Sequence, residues 1–205
     1  MASEVDIANL AIARLADVAN VSVIDPPEGG TTSELVARFL PMARDTLLQM
    51  HTWTFATRTV RLARLAEEPV DWDYMYASPA NMLKALSVRQ EGWVMDVFDF
   101  DVESNADGRL VILTDADAAV LRYTERVTDT NRFSPLFVDA LSWMLASNLA
   151  GPLIRGESSL TVSNQCLKNA QVLVGQAVIA DSRQRHSREG DKHLPSWMSW
   201  RSKGV

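Results

Sequence analysis

The sequence predicts an α+β fold, mostly α, in which a helical bundle with two long C-terminal helices carries an inserted antiparallel β-sheet. Apolar residues recur at helical spacing near both ends of the chain. In the middle third, apolar and acidic residues alternate with a period of two. Beyond about residue 184 the chain becomes polar and basic. The predicted organisation is a helical core (1–59 and 130–190), a β insertion (60–129) and an extended C-terminal tail (191–205).

Two helices are predicted in the first sixty residues. Ser3 is placed to cap the first helix, with Asp6 three residues later where the helix dipole favours an anion. Thr31–Ser33 offers caps for the second helix after the loop 25–30, and Pro41 inside that helix predicts a kink. The inward residues are expected to be Ile7, Leu10, Ala11, Leu15 and Val18 in the first helix, and Leu35, Phe39, Met42 and Leu47 or Met50 in the second.

The middle third predicts one antiparallel sheet of about four or five strands. Phe98, Phe100 and Val102 alternate with acidic residues, as in a strand with one wet face. The segment 105–109 contains Asp-Gly, which is typical of a hairpin turn, and 110–113 returns from it. Further strands are expected at 60–65, 82–89 and 119–127.

The C-terminal third predicts two more helices. Ser134 and Pro135 open the third, with the proline at the first helical position where its missing N–H is harmless. Its buried face is expected to contain Phe137, Leu141, Met144 or Leu145, and Leu149. Gly151-Pro152 and Gly156 are expected to break or end it. Ser158 or Ser159 caps a fourth helix that reaches about Gln184, roughly 37 Å at about 1.5 Å per residue.

Composition and charge exclude several functional classes. The 205 residues are 47% hydrophobic and 22% charged, which is ordinary for a globular protein. No apolar run reaches the length of a membrane span and no signal-peptide pattern opens the chain, so neither a membrane nor secretion is expected. The single cysteine, Cys166, lies in a helical pattern and predicts a buried structural thiol.

The net charge of −6 is unevenly distributed. Residues 1–60 carry a net −3 and residues 61–129 a net −7, whereas residues 130–205 carry a net +4. A sequence-reading DNA-binding protein would show a concentrated basic face, which this pattern does not predict. The basic C-terminal end favours an acidic protein surface as its partner.

No catalytic, metal or cofactor site is predicted. His51, His186 and His193 lack the helical pairing or cysteine partners of a zinc site. The acidic series Asp96, Asp99, Asp101 and Glu103 favours a solvated sheet face over calcium, because alternate strand residues do not wrap an ion. The densest carboxylate cluster is Glu67, Glu68, Asp71 and Asp73, and it is interpreted as a solvated loop and not as a glycan-cleaving pair.

The C-terminal tail contains one apolar cluster, and two interpretations of it remain open. Trp197, Met198 and Trp200 either pack on the core or bind a partner, since tryptophan and arginine are enriched in interface hot spots. The candidate binding residues of the tail are Leu194, Trp197, Met198, Trp200 and Arg201.

The order of these features resembles the tail tubular protein A family, the head-to-tail adaptors of short-tailed bacteriophages. The resemblance covers about residues 5–200. It is carried by the helix Ile7–Leu15, by Pro41 with Arg44, Asp45 and Leu48, by Trp53-Thr-Phe55-Ala56, by Trp72, Tyr74 and Tyr76 with Pro79 and Leu83, and by the closing Ser196–Arg201. The structural signature residues are Pro41, Arg44, Trp53, Phe55, Trp72, Tyr76 and Pro79.

The resemblance implies a structural role in the virion. Copies of the chain would form a ring, typically twelvefold, under the portal protein, with the tail nozzle (a tubular protein B-like partner) below and a tail fibre or spike nearby. The two C-terminal helices would pack around the ring, the tail would reach the portal, and DNA would pass through in transit. The expected location is the phage tail, with host cytoplasm during assembly. Two rivals remain: a tail-associated peptidoglycan- or polysaccharide-degrading protein, and an unrelated helical interaction module.

Arg44 is expected to be buried, because helical spacing places it beside Leu40 and Leu48. Its partner is predicted on a neighbouring helix or sheet corner, since Asp45 is adjacent in sequence. We therefore expect Arg44 to fasten the helical core to the Trp53–Phe55 corner. Replacing it by methionine is expected to cost about 3 kcal/mol if a buried charged partner is stranded.

Overall fold

The computed structural model describes residues 2–15, 20–92, 97–154, 156 and 158–184. Within them the fold is mixed α and β, 47% helical and 22% strand. The helices are α1 (Glu4–Arg14), α2 (Thr31–Met50), α3 (Pro135–Leu153) and α4 (Ser158–Ser182). The strands are β1 (Thr57–Arg61), β2 (Tyr74–Ala77), β3 (Met82–Gln90), β4 (Val97–Phe98), β5 (Phe100–Ser104), β6 (Leu110–Thr114) and β7 (Ala119–Glu125). The mixed class predicted from the sequence is confirmed.

Helix α1 begins as predicted. The Ser3 hydroxyl accepts a hydrogen bond from the Asp6 backbone N–H at 3.1 Å, and the Asp6 carboxylate accepts from the Ser3 N–H at 2.8 Å. These bonds satisfy two donors at the helix start that have no partner within the helix, and they lower the pKa of Asp6. Ile7 and Ala11 are buried, but Leu10 is exposed because the buried stripe runs through Ala8 and Ile12 instead.

The predicted inward face of α2 is partly wrong. Met42 and Met50 are exposed, and the buried stripe is Ser33, Val36, Leu40, Ala43, Arg44, Leu47 and Leu48. Two residues of that stripe, Ser33 and Arg44, are polar. A prediction made from apolar residues alone therefore places the stripe on the wrong side of the helix. The N-cap is Gly30 and not a residue of Thr31–Ser33, because Ser33 reaches back to both the N–H and the carbonyl of Gly30. Pro41 is exposed within one uninterrupted helix.

Helix α3 occupies the centre of the helical layer and contacts α1, α2 and α4. Ser134 caps it by accepting from the Phe137 N–H at 3.3 Å, and all five predicted apolar positions are buried. By length and composition it would suffice for a membrane span, but 56% of that window is buried inside the fold. A helix that is apolar all round is typical of such a central position.

Helix α3 does not end at Gly151. It continues through Pro152 to Leu153, and the Ile154 N–H donates to the Ala150 carbonyl at 2.9 Å. Gly151 and Pro152 are exposed in the last turn, so the hydrogen bond that Pro152 cannot donate is lost only at the end of the helix. Gly156 lies in the connection with a φ of +92°, a conformation that favours glycine, and α4 begins at Ser158.

The described strands form two antiparallel sheets, so the prediction of one sheet is wrong. The strand order is β1-β7-β3-β4 in the first sheet and β2-β6-β5 in the second. The strand predicted through Phe98 and Val102 divides at Asp99: β4 pairs with β3, and β5 pairs with β6. The Thr114 hydroxyl donates to the Asp99 carbonyl at 2.8 Å and occupies this break. Strand β2 was not predicted.

The turn predicted at 105–109 joins β5 to β6. The Asn105 side chain accepts from the Asp107 and Arg109 N–H groups at 3.1 and 3.0 Å. Gly108 has a φ of +75°, which explains the glycine at this position.

The buried apolar residues form two clusters. One lies among the four helices and includes Trp53, and the other lies between the two sheets. Tyr76 and Ile112 of one sheet meet Val88 and Leu121 of the other in this second cluster. The Tyr76 hydroxyl donates to the Ala116 carbonyl at 2.8 Å, so its polar end is satisfied. The division of the chain into separate domains stays a prediction.

Arg44 is buried as predicted, and one partner lies on a neighbouring helix as expected, but the predictions that Asp45 points elsewhere and that Arg44 contacts the Trp53–Phe55 corner are wrong. Its Nε lies 3.0 Å from Asp45 Oδ1, and its Nη1 lies 3.6 Å from Glu4 Oε1 on α1. Adjacent residues can meet here because the guanidinium turns along the helix surface. Asp45 also binds Arg126 at 2.8 Å, just after β7. The arginine therefore joins α2 to α1, and Asp45 joins α2 to the sheet.

Replacing Arg44 by methionine should lower the free energy of unfolding by about 1 kcal/mol, less than the sequence alone suggested. Asp45 keeps Arg126, and the Glu4 side chain is 42% exposed, so neither carboxylate is stranded in the core. Denaturant unfolding measures the change. Arg38→Met, on the exposed side of the same helix, is the matched control and should be nearly neutral. A loss of 3 kcal/mol or more would show that the partners depend on Arg44 alone.

Candidate interaction surface

The exposed side of α4, called here its outer face, carries little charge. Leu160, Val172 and Ile179 are 71%, 62% and 56% exposed, and Leu167 is 36% exposed. The 25-residue helix contains two charged residues, and one of them, Asp181, is buried. Lys168 is therefore its single exposed charge along about 37 Å of helix.

Small side chains hold the inner face of α4 against α3. Cys166, Ala170 and Ala177 are buried there. The Ser163 hydroxyl donates to the Ser147 carbonyl at 2.8 Å across the two helices. Burial raises the pKa of the Cys166 thiol, which keeps it neutral, and its buried position confirms the sequence prediction. The outer face is thus presented on a rigid support.

Asp181 fixes the C-terminal end of α4. Its carboxylate accepts from the Thr54 backbone N–H at 3.0 and 3.1 Å and from the Thr54 hydroxyl. His51 Nε2 lies 3.2 Å from the same carboxylate. Three groups on the corner after α2 therefore determine where the chain leaves α4 toward its C-terminal segment.

The aromatic corner after α2 supports this anchor. Trp53 is buried, and its indole N–H donates to the Leu47 carbonyl at 2.8 Å. Its ring centroid lies 4.9 Å from that of His51, 5.8 Å from Phe55 and 5.1 Å from Phe137. Rings at these separations and angles pack favourably. The corner thus joins α2, α3 and the end of α4.

The signature residues do not form one site. Pro41 and Arg44 lie on α2, Trp53 and Phe55 lie in the aromatic corner, and Trp72, Tyr76 and Pro79 lie around β2. Trp72 and Pro79 are half-buried, and Tyr76 is buried between the sheets. These residues pack in three separate regions of the fold.

A buried carboxylate joins the sheet to the helical layer. Glu125 on β7 accepts from Arg58 Nε on β1 at 2.7 Å, from Arg132 Nη1 at 3.0 Å and from Asn81 Nδ2 at 2.8 Å. Arg132 also donates to the Phe55 carbonyl in the aromatic corner. Burial alone would raise the pKa of Glu125, but the two arginines outweigh burial and lower it.

Tyr123 extends this network. Its hydroxyl donates to Asn81 Oδ1 at 3.2 Å. Burial, and to a lesser extent the charge of Glu125, raises the pKa of Tyr123, so the hydroxyl keeps its proton at neutral pH. The sequence analysis missed this network, because Arg58, Asn81 and Glu125 are far apart along the chain. The sequence feature that could have indicated the network is Glu125, a charged residue at the end of the apolar pattern of β7.

The candidate carboxylates of a hydrolase lie at the surface. Glu67, Glu68, Asp71 and Asp73 are exposed, as the solvated-loop interpretation predicted. Among the described residues no group of three or more His, Cys, Asp or Glu side chains is arranged to hold a metal ion. His51 is engaged with Asp181, and His186, His193 and Asp96 lie outside the described residues.

The predicted tail residues Leu194, Trp197, Met198, Trp200 and Arg201 also lie outside the described residues. No protein-family model matches the chain, and no curated protein matches its sequence.

The exposed face of α4 was missed by the sequence analysis. The available signal was a 25-residue helix with only two charged residues.

Replacing Glu125 by glutamine should lower the free energy of unfolding by about 2 kcal/mol at pH 7, because Arg58 and Arg132 lose a charged acceptor. The folded pKa of Glu125 is depressed, so its ionisation stabilises the fold above the ordinary value of 4.5 and this contribution is lost as pH falls through the folded pKa.

Urea unfolding of the wild type and of Glu125→Gln between pH 7 and pH 3 tests this pH dependence. The difference between the two proteins should be largest at pH 7 and should shrink below about pH 4.5. Glu103→Gln, on an exposed strand position, is the control. A difference that is independent of pH would contradict the electrostatic explanation.

Proposed function

We propose that this chain is a structural virion protein, a head-to-tail adaptor whose copies form a ring between the portal protein and the tail nozzle of a short-tailed bacteriophage. The resemblance stated for residues 5–200 supports the class of function. In this proposal the finer architecture is a helical bundle with two C-terminal helices, of 19 and 25 residues, packed side by side, and α4 faces the neighbouring copy. The β-sheets are the inserted part and lie toward nozzle, fibre or spike.

The observation that carries the proposal is the outer face of α4. Exposed aliphatic side chains with a single charge are typical of a surface that is covered in an assembly, since charged residues are depleted from interface cores. A helix held firmly along its inner face and anchored at Asp181 presents that surface with little loss of conformational entropy on binding. Both features favour side-by-side packing with another helix.

The remaining partners follow from the same proposal. The C-terminal tail contacts the portal through Leu194, Trp197, Met198, Trp200 and Arg201. Genomic DNA passes through the ring in transit, and a net charge of −6 suits a passage in which phosphates are not retained. The chain acts without catalysis, without a cofactor and without a membrane, in the tail of the virion and, during assembly, in the host cytoplasm.

The test is electron microscopy of the purified chain with and without a candidate portal protein. A monomer or weak oligomer alone, and a closed ring on the portal, are expected, because a ring that closed in free solution would compete with ordered building on the capsid. Light scattering that shows a stable large ring without any portal would contradict partner-driven assembly. The absence of a ring in both samples would contradict the adaptor function.

Replacing Val172 and Ile179 together by glutamate should abolish the ring on the portal while leaving the melting temperature nearly unchanged. Both side chains are exposed, so the variant loses no buried contact within the monomer, but it places two carboxylates in the proposed interface. Gln49→Glu with Met42→Glu, at exposed positions of α2, adds the same two negative charges and is the control. Ring formation at the wild-type level by the Val172 and Ile179 variant would exclude this face.

Removal of the chain from Leu194 onward should leave the circular-dichroism spectrum intact and should weaken portal binding severely. The reason is that the two tryptophans supply the hot-spot residue type in this proposal. Trp197→Ala with Trp200→Ala is the finer variant. A sharp fall in its melting temperature with portal binding preserved would assign the tryptophans to the core.

A further inference from the structure

The outer face of the first sheet carries a concentration of cations. Arg61, Val120 and Arg89 form one row across β1, β7 and β3, and Thr59, Arg122 and Ser87 form the next. Lys84 lies on the same face one row further on, opposite Thr124. Glu91 forms an ion pair with Arg61 at the edge of this face. Four cations therefore share one face, although residues 61–129 carry a net charge of −7.

This face is open. A groove of about 360 Å³ is lined by residues that include Thr59, Arg61, Arg89, Glu91 and Val120. Arg61 and Lys84 are exposed, and Arg89 and Arg122 are half-buried. Neighbouring strands lie about 4.8 Å apart, so Arg61 and Arg89 flank Val120 at about 10 Å from each other.

The outer face of the second sheet carries the opposite charge along β5. Asp101 and Glu103 are paired with Leu113 and Val111, whereas Phe100 and Val102 point to the other side of the sheet. With Asp99 they form an exposed stripe, and none of the three has an ion pair within the described residues. Strand β5 is an edge strand, since the order of its sheet is β2-β6-β5.

The two charged faces point away from each other. The apolar cluster between the sheets contains Tyr76 and Ile112 from one side and Val88 and Leu121 from the other. The cationic and acidic faces lie on the outer sides of this cluster, so they cannot meet within one molecule. Complementary faces on opposite sides of a chain generate a head-to-tail contact, which closes into a ring or continues as a filament.

We propose that the cationic face of one copy binds the acidic β5 stripe of the next copy. Carboxylates along one side of a strand recur about every 7 Å, and long arginine side chains can span the difference from the distance of about 10 Å between Arg61 and Arg89. Such a contact sets the direction and rotation of neighbouring copies more than their affinity, because charge complementarity mainly gives specificity and association rate. The partner is a second copy of this chain, and the inference rests on the proposed ring.

Two charge-reversal variants test it. The face variant carries Arg61→Glu and Arg89→Glu, and the strand variant carries Asp101→Lys and Glu103→Lys. Self-association is measured by sedimentation velocity at low salt and at about 1 mM chain, the range in which weak contacts are populated. Each variant alone should associate at least about tenfold more weakly than the wild type, because like charges then face each other. An equimolar mixture of the two should recover association, since each then supplies the complement of the other.

Controls separate charge from folding. Arg38→Glu with Arg183→Glu changes the net charge equally at exposed positions elsewhere and should leave association unchanged. Arg61→Gln with Arg89→Gln serves if the reversal unfolds the sheet, and circular dichroism verifies each variant.

The inference is overturned if the wild type shows no association under these conditions, if the face variant associates as the wild type does, or if the mixture stays monomeric. Retention of the wild type on immobilised heparin, lost in the face variant while the mixture stays monomeric, would identify a polyanion as the partner instead. If the wild type forms a ring on the portal and the face variant forms it equally well, this inference fails alone. If the wild type forms no ring there, the proposed function fails, and the self-association result stands by itself.

Discussion

The buried carboxylate of Glu125 is the interaction on which the relation of sheet to helices depends. The chain leaves the helical layer after α2 through Arg58 on β1, and it returns through Arg132 before α3. Both arginines bind the same carboxylate, and Asn81 at the start of β3 binds its other oxygen. One side chain therefore holds the exit and the return of the chain together. Loss of its charge leaves two arginines without their acceptor where the two layers meet.

The aromatic corner transmits this connection to α4. Arg132 donates to the Phe55 carbonyl, Phe55 packs on Phe133 and Phe137, and the adjacent Thr54 is bound by Asp181. The end of α4 is thus fixed by the same corner that receives the sheet. The aromatic corner therefore connects the sheets to the end of α4.

The sequence predicted those features that depend on short-range patterns. The Ser3 and Ser134 caps, the turn at 105–109 and the buried face of α3 each need only a few adjacent residues. It failed where long-range contacts decide the outcome. Asp99 gave no signal that the strand divides between two sheets, because that division depends on pairing with β3 and β6. A second failure was local: the stripe of α2 was misplaced because Ser33 and Arg44 are buried with polar partners nearby in sequence, Gly30 and Asp45, and apolar periodicity does not reveal such residues.

In the proposed assembly, the exposed side of α4 and the charges on the sheets would play two different roles. The outer face of α4 has one exposed charge and offers apolar area, which supplies affinity without direction. The sheets offer opposite charges on opposite outer faces, which supply direction with little affinity once salt screens them. The net charge of −6 does not reveal the two charged faces, because it sums the cations of one sheet with the carboxylates of the other. In the proposed assembly, the position of the charges, and not their sum, would therefore determine how copies of this chain meet.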